Sequence, residues 1–296
     1  MTMLRIYLEP GMLKTAREGT FNFMNVLRRC IEGSGWQVQF LPTSARARAE
    51  AADLPGYALF HMESPTHDRA LTFRRAYHYP FWHIESAPQR WRGSVARAHF
   101  DPDLVPAEAA EFVQRLRARV LPNARPGAGD YALVPLQGRL RQQRSFQTMS
   151  PLDMLEVVAM TGRPTVATLH PKEGYDEADH AALAALAKRH ANLTIGGDSG
   201  TLLPGCAFVA TQNSAVAFDG LILEKPAVLF GQSDFHHIAL NVAELGTKAA
   251  LGAAASHKPD FQRYVWWFLR GMSINATAQD AGSQILAAMK KGGWPI

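Results

Sequence analysis

Cysteine is nearly absent from this 296-residue chain: only Cys30 and Cys206 occur, and neither belongs to a CxxC pair. That argues against a zinc site or a dithiol redox motif, and the expectation is two buried thiols. Long apolar runs are missing as well. Hydrophobic residues make up 47% of the chain, but no run approaches the ~20 residues of a membrane-spanning helix. The opening residues, MTMLRIYLEP, have no basic head before an apolar stretch and read as a strand rather than a signal peptide. Together these absences lead to the expectation of a cytoplasmic protein.

Nucleotide-binding fingerprints are also lacking. No GxGxxG follows the first strand, and GxxxxGK[ST] and GxSxG occur nowhere. Simple dinucleotide-binding, P-loop and nucleophile-elbow readings lose their support. His236 and His237 are adjacent, and neighbours on a strand or helix point apart, so no metal site is expected from them. No cofactor is expected either.

Charge is present but uneven. The formal net charge of +5 is carried by residues 1–125, the remainder being balanced, and Lys14 is the only lysine in that first stretch. The excess is therefore arginine, whose planar fork suits carboxylates and phosphates. A solvated surface explains it equally well as an acidic acceptor, an acidic sugar or an anionic membrane surface. Nucleic-acid binding has little support, because the basic residues are scattered and no recognised motif accompanies them.

Apolar runs of strand length alternate with helix-like stretches, which predicts an α/β protein with parallel sheets. In the first lobe, strands are expected over 4–8, 36–41, 57–61 and 81–84, with a helix after each of the first two and another within 101–121. Residues 122–129 (PNARPGAG) form the best linker, dividing the chain into lobes at 1–125 and 130–296. In the second lobe, strands are expected over 131–136, 165–169, 193–195, 207–210 and 227–230, with helices over 151–160, 176–190 and 215–224. Two closing helices, 261–272 and 278–290, are expected to return toward the first lobe.

Polar or glycine residues follow every strand of the second lobe: Gln137, His170 and Lys172, Gly196–Gly197, Thr211 to Ser214, and Gly231. Ligands of open parallel sheets bind beyond the carboxyl ends of the strands, so five such ends in register predict a binding edge. Asn213 and Ser214 cap a helix whose N-terminus can receive a phosphate. Asp219, about one and a half turns on, can accept from ribose hydroxyls or face solvent. His170 stands at a strand end before a proline, beside Lys172, where it can donate to a phosphate or protonate a leaving group.

Taken in order, Val134-Pro135-Leu136-Gln137, Ser150-Pro151, His170-Pro171, Thr211-Gln212-Asn213-Ser214, Lys225-Pro226-Ala227-Val228 and Gly231 resemble the capsule polysaccharide synthesis glycosyltransferases, which include bacterial Kdo transferases. The stretch from Tyr79 to Glu85 is similar to a first-lobe segment of the same family. The resemblance implies a GT-B-like fold: two Rossmann-like lobes with a cleft between them, the first on the acceptor side and the second binding the nucleotide sugar, often as CMP-Kdo. It implies that His170 contacts the donor phosphate and Ser214 cradles it. Asp219 stands where relatives usually carry Glu.

The expected activity is transfer of a sugar, an acidic one such as Kdo from a CMP donor, to a glycan or lipid-linked acceptor in surface polysaccharide synthesis. Glu85 and His170 are the catalytic candidates. Gln137, His170, Lys172, Thr211, Asn213, Ser214, Asp219 and Gly231 are the candidates for holding nucleotide and phosphate. The absence of an acidic metal-binding pair favours a metal-independent reaction. Peripheral contact with the inner membrane is compatible with the arginine excess. The alternative is a non-catalytic relative that binds a nucleotide or glycan.

Overall fold

The computed structural model describes residues 2–125, 127 and 129–296, so Met1 and two residues of the expected linker, Pro126 and Ala128, lie outside the described residues. The chain divides into two compact units, Met1–Ala98 with Trp267–Ile296, and His99–Trp266. The division therefore falls earlier than the proline- and glycine-rich stretch at 122–129. The helix Ala109–Val120 explains the difference, because it packs within the second unit. Its Arg117 guanidinium donates to the Ile222 carbonyl from Nε at 3.0 Å and from Nη2 at 2.7 Å.

The first unit is built on β1 (Met3–Leu8), β2 (Gln37–Pro42), β3 (Tyr57–His61), β4 (Ala70–Arg75) and β5 (Phe81–Glu85), joined by β12 (Ile274–Asn275). The order is β12-β5-β4-β3-β1-β2, parallel except at the β4–β5 and β5–β12 pairs. Side chains alternate across a strand, so each strand feeds two cores. Leu4, Ile6, Leu8, Leu59, Leu71 and Phe73 pack with the helices Asn22–Gly33 and Ala281–Lys291 through Phe23, Leu27, Ile31, Ile285 and Met289. Tyr7, Ala58, Phe60 and Ala70 form the other face with Ala51. The Phe23 and Trp82 rings stack at 4.6 Å. Each fully buried side chain of this size contributes about 1.5–3 kcal/mol. Two strands have no clear sequence pattern: β4 ends in Arg74 and Arg75, and β12 has only two residues.

The second unit holds β6 (Ala132–Pro135), β7 (Thr165–Thr168), β8 (Leu193–Ile195), β9 (Phe208–Thr211), β10 (Ala227–Leu229) and β11 (Leu240–Asn241). All pairs are parallel. The order is β8-β7-β6-β9-β10-β11, the doubly wound Rossmann order, with its topological switch between β6 and β9. One strand more than the five expected is present, the short β11. The strands are nearly continuous apolar runs because helices cover both faces. Their starts are chemically fixed. Ser150 Oγ accepts from the Asp153 N–H at 3.1 Å before the helix Pro151–Ala159, which has proline in its first turn. Asp176 and Asp179 form a reciprocal capping box on the helix Glu177–Arg189.

Candidate functional site

Because the second sheet is parallel throughout, β6, β7, β8, β9 and β10 all present their carboxyl ends to one edge. Hydrogen bonds tie these ends together. The Thr211 hydroxyl at the end of β9 donates to the Pro135 carbonyl of β6 at 3.2 Å. The Leu136 N–H donates to the Thr168 carbonyl of β7 at 2.8 Å, and the Phe230 N–H to the Thr211 carbonyl at 2.9 Å. Gln137, His170, Thr211, Asn213, Ser214 and Gly231 thus belong to one edge, with Gln137 and Thr211–Ser214 flanking the switch point.

Their local roles differ. Thr211 is fully buried and acts as a tie between strands. Asn213 Nδ2 donates to the Gln232 carbonyl at 3.1 Å and couples the loops after β9 and β10. Ser214 is buried and caps the helix Ala215–Ile222, its Oγ accepting from the Val216 N–H at 3.3 Å. The hydroxyl hydrogen remains able to donate, so capping and ligand binding are compatible. Asp219 lies within that helix and is partly exposed. His170 is exposed, and its Nδ1 accepts from the Lys172 N–H at 3.2 Å. That contact places the proton of a neutral ring on Nε2, where it can be donated. Lys172 is exposed beside it. Gln137 Oε1 is buried and has no hydrogen-bond partner among the described residues.

Gly231 owes its identity to crowding. A Cβ there would lie 3.1 Å from the Phe146 ring and 3.2 Å from the Gln212 carbonyl oxygen. Gly138 is similar: its Cβ would fall 2.8 Å from the Glu173 carboxyl carbon, so an acidic group lies over the turn after β6. The crowding at Gly231 comes from residues 139–150, a segment the sequence reading did not single out beyond Ser150. It crosses the ends of β9 and β10: Gln147 bridges Gly231, the Gln232 N–H donates to Phe146 O at 2.9 Å, and the Thr148 N–H to Phe230 O at 2.8 Å. Between β6 and the helix Pro151–Ala159 the chain runs far beyond the ~2–6 residues usual for such a connection, a length of about 12–15 residues that often marks a binding loop, and it carries Arg139, Arg141 and Arg144.

Glu85, the remaining candidate, belongs to the first unit, at the end of β5. It is buried, and its carboxylate accepts from Ser94 twice, from the backbone N–H at 2.8 Å and from Oγ at 3.1 Å. A Cβ on Gly93 would lie 3.0 Å from Arg74 Nη2 and 3.2 Å from Glu85 Oε1, so guanidinium and carboxylate both close around that glycine. Two residues back on β5, His83 is buried. The Ser273 hydroxyl donates to the Phe268 carbonyl at 2.7 Å, so the Ser273 oxygen accepts from His83 Nε2–H at 2.8 Å. Burial, with Arg74 and then Arg90 nearby, pushes the His83 imidazole down to about 3. It is a neutral ring at physiological pH. His83, Glu85 and Ser94 line a cavity of about 350 Å³ with Arg97, Arg270 and Lys291.

Among the described residues no group of three or more His, Cys, Asp or Glu is placed to hold a metal ion. His236 and His237 depart from expectation: their rings stack at 4.2 Å instead of pointing apart. They lie in an irregular turn, where strand and helix periodicity does not apply. Both cysteines are free. Cys206 is buried and Cys30 only partly so, and burial pushes their thiols up to about 12 and about 11.

No protein-family profile matches the chain, and no curated protein matches it by sequence. Solved structures do. A β-Kdo 2,7 transferase, KpsC of Thermosulfurimonas dismutans, aligns over 98% of this chain and 99% of its own, with a TM-score of 0.52 and 13% identity. A β-Kdo 2,4 transferase, KpsC of the same organism, aligns over 90% of each chain with a TM-score of 0.45 and 12% identity. The first of these likenesses establishes the fold: an α/β chain of two Rossmann-like lobes, GT-B-like. The resemblance to Kdo-transferase-like proteins read from the sequence is matched at that level.

Proposed function

We propose that the chain is a glycosyltransferase that moves an acidic sugar such as Kdo from a CMP donor to a glycan or lipid-linked acceptor in surface polysaccharide synthesis. The observation that carries this reading is topological. A Rossmann-ordered sheet presents Gln137, Thr211 and Ser214 at its switch point and His170 one strand away. The fold shared with a Kdo transferase supports it. The second unit is the nucleotide-sugar side, and the first is the acceptor side.

In the reaction, the acceptor hydroxyl attacks the anomeric carbon, and the bond from that carbon to the phosphate oxygen breaks. CMP leaves with the bonding electrons, and the hydroxyl proton passes to a base. Glu85 is that base. The departing phosphate receives the Ser214 hydroxyl, the N-terminus of the helix Ala215–Ile222, the His170 Nε2–H and the Lys172 ammonium. Asn213 and Gly231 shape the edge, and Asp219 accepts from the ribose. One phosphate needs less cationic help than a diphosphate, which supports a CMP donor and a reaction without metal. No helix among the described residues is long and apolar enough to cross a membrane. The proposed location is the cytoplasm, with peripheral contact at the inner membrane through the arginine-rich first lobe.

The test is product formation from CMP-Kdo, UDP-sugar and GDP-sugar donors, read by mass spectrometry with and without magnesium. Turnover of CMP-Kdo without metal is expected. Turnover of a UDP-sugar alone, dependent on magnesium, would overturn the donor. Nucleotide binding without turnover of any donor would point to a binding protein instead.

A further inference from the structure

Several buried polar atoms in or against the segment 139–150 of the second unit lack partners among the described residues. Gln147 is 6% exposed; its Oε1 accepts from the Arg144 N–H at 2.7 Å, which leaves Nε2 as the group with no partner among the described residues. Gln212 is 1% exposed; its Nε2 donates to the Met149 carbonyl at 3.1 Å, and its Oε1 has no partner among the described residues. Arg144 is half-buried, and its Nε and Nη2 are shielded from solvent without a partner among the described residues. Its guanidinium lies over the Phe146 ring at 4.8 Å.

A shielded N–H donor left without a partner is costly. Stacking on Phe146 orients the guanidinium plane without using its N–H groups. Burial holds this guanidinium below the usual arginine range, Arg139 acts in the same direction, and Glu173 opposes them. Two adjacent nitrogens, one Nε and one Nη, form the fork that takes two oxygens of one anion. Phe146 itself packs against Gly231, on the loop after β10.

We propose that Arg144 is the anchor for a two-oxygen anion at this edge, either the carboxylate of the transferred sugar or the donor phosphate, with Gln147 Nε2 as an accompanying donor. Only the identity of the anion rests on the function proposed above. The site explains why these groups are buried unpaired: they are held ready for a ligand that satisfies them, at a cost to the empty protein.

Melting curves of wild type, Arg144→Met and Arg144→Lys test this, each with no ligand, inorganic phosphate, cytidine, CMP or free Kdo. Without ligand, Arg144→Met is expected to melt about 2–4 °C higher than wild type, because two shielded N–H groups without partners are removed. It is also expected to lose the anion-induced shifts, while Arg144→Lys keeps a reduced shift because it lacks the fork. If the lost shift is the CMP-over-cytidine difference, the anion is the phosphate. If it is the Kdo shift alone, the anion is the carboxylate. A lower melting point for ligand-free Arg144→Met would make Arg144 a strut and overturn the proposal. So would responses equal to wild type while CMP binds both, in which case the transferase reading stands without the anchor. If phosphate shifts wild type but not Arg144→Met while CMP and Kdo shift neither, the anchor stands and the donor reading fails. If no anion shifts wild type, both fail.

Discussion

The two units solve different problems with sheets of the same size. The second has six parallel strands, so its strand ends gather on one edge and the candidate ligand-binding groups collect there by topology alone. The first reverses direction at β4–β5 and β5–β12, so strand ends are shared between two edges. Its distinctive polar groups lie within the sheet, where Arg74 pairs across the strands with His83, and Thr72 with Glu85. One unit keeps polar chemistry on an accessible edge of loops; the other buries it in strands and must neutralise it by hydrogen bonding or by loss of charge. The loop edge suits a ligand that arrives and leaves, and the strand interior suits fixed groups such as the neutral His83.

The largest effect expected from this contrast is at Glu85. Glu85→Gln should lower kcat by roughly 10²–10⁴, the usual span for general acid–base groups, whereas Ser94→Ala should leave turnover largely intact. If both variants lose stability alike and neither loses turnover, Glu85 only caps the short helix Ser94–Arg97. Next is His83, whose folded-state value of about 3 lies below the ordinary ~6.5 of an unfolded chain. Between those values the unfolded chain binds the extra proton. Stability from the neutral ring is therefore complete above about pH 6.5 and is lost as pH falls toward 3, with a slope approaching ~1.4 kcal/mol per pH unit. Denaturant titrations of wild type and His83→Gln from pH 7 to 4 should show the variant losing that part of the slope. Equal slopes would mean His83 is protonated in the folded protein.

In the second unit, Gly231→Ala should push Phe146 off the end of β10 and cost about 1–3 kcal/mol. The loss should appear in both denaturant stability and nucleotide affinity, and an unchanged midpoint would contradict the close packing of that edge. The smallest effect concerns the thiols. With folded-state values near 11 and 12, Cys30 and Cys206 hold almost no thiolate at pH 8, so native protein should react with a disulfide reagent far more slowly than unfolded protein. Equal rates would show that burial does not protect them.

Legibility in the sequence follows the same contrast. Strands of a parallel sheet are short apolar runs closed by polar turns, and the sequence 131–230 displays five of them in order. β11 was invisible because two residues carry no period. In the first unit, the arginines of β4 disguise a strand whose Arg74 is only 2% exposed. The candidate edge is readable where a residue type announces its place, as with Ser214 at a helix start and His170 before a proline. Arg144, Gln147 and Glu173 are not, because their significance lies in a long connection folding back over strand ends, and no local pattern encodes that return. The compact units divide before His99 rather than at 122–129 for a related reason: composition marks the loop, but packing places the helix before it in the second unit.

The central claim, that the switch-point edge of the second unit binds the donor through its phosphate, is tested most directly by calorimetric titration of CMP and UDP into wild type and Ser214→Ala. CMP is expected to bind wild type more tightly than UDP without magnesium, and Ser214→Ala to weaken CMP by about 1–3 kcal/mol while leaving cytidine unchanged. Equal CMP affinity in wild type and variant, or tighter UDP binding that requires magnesium, would contradict it.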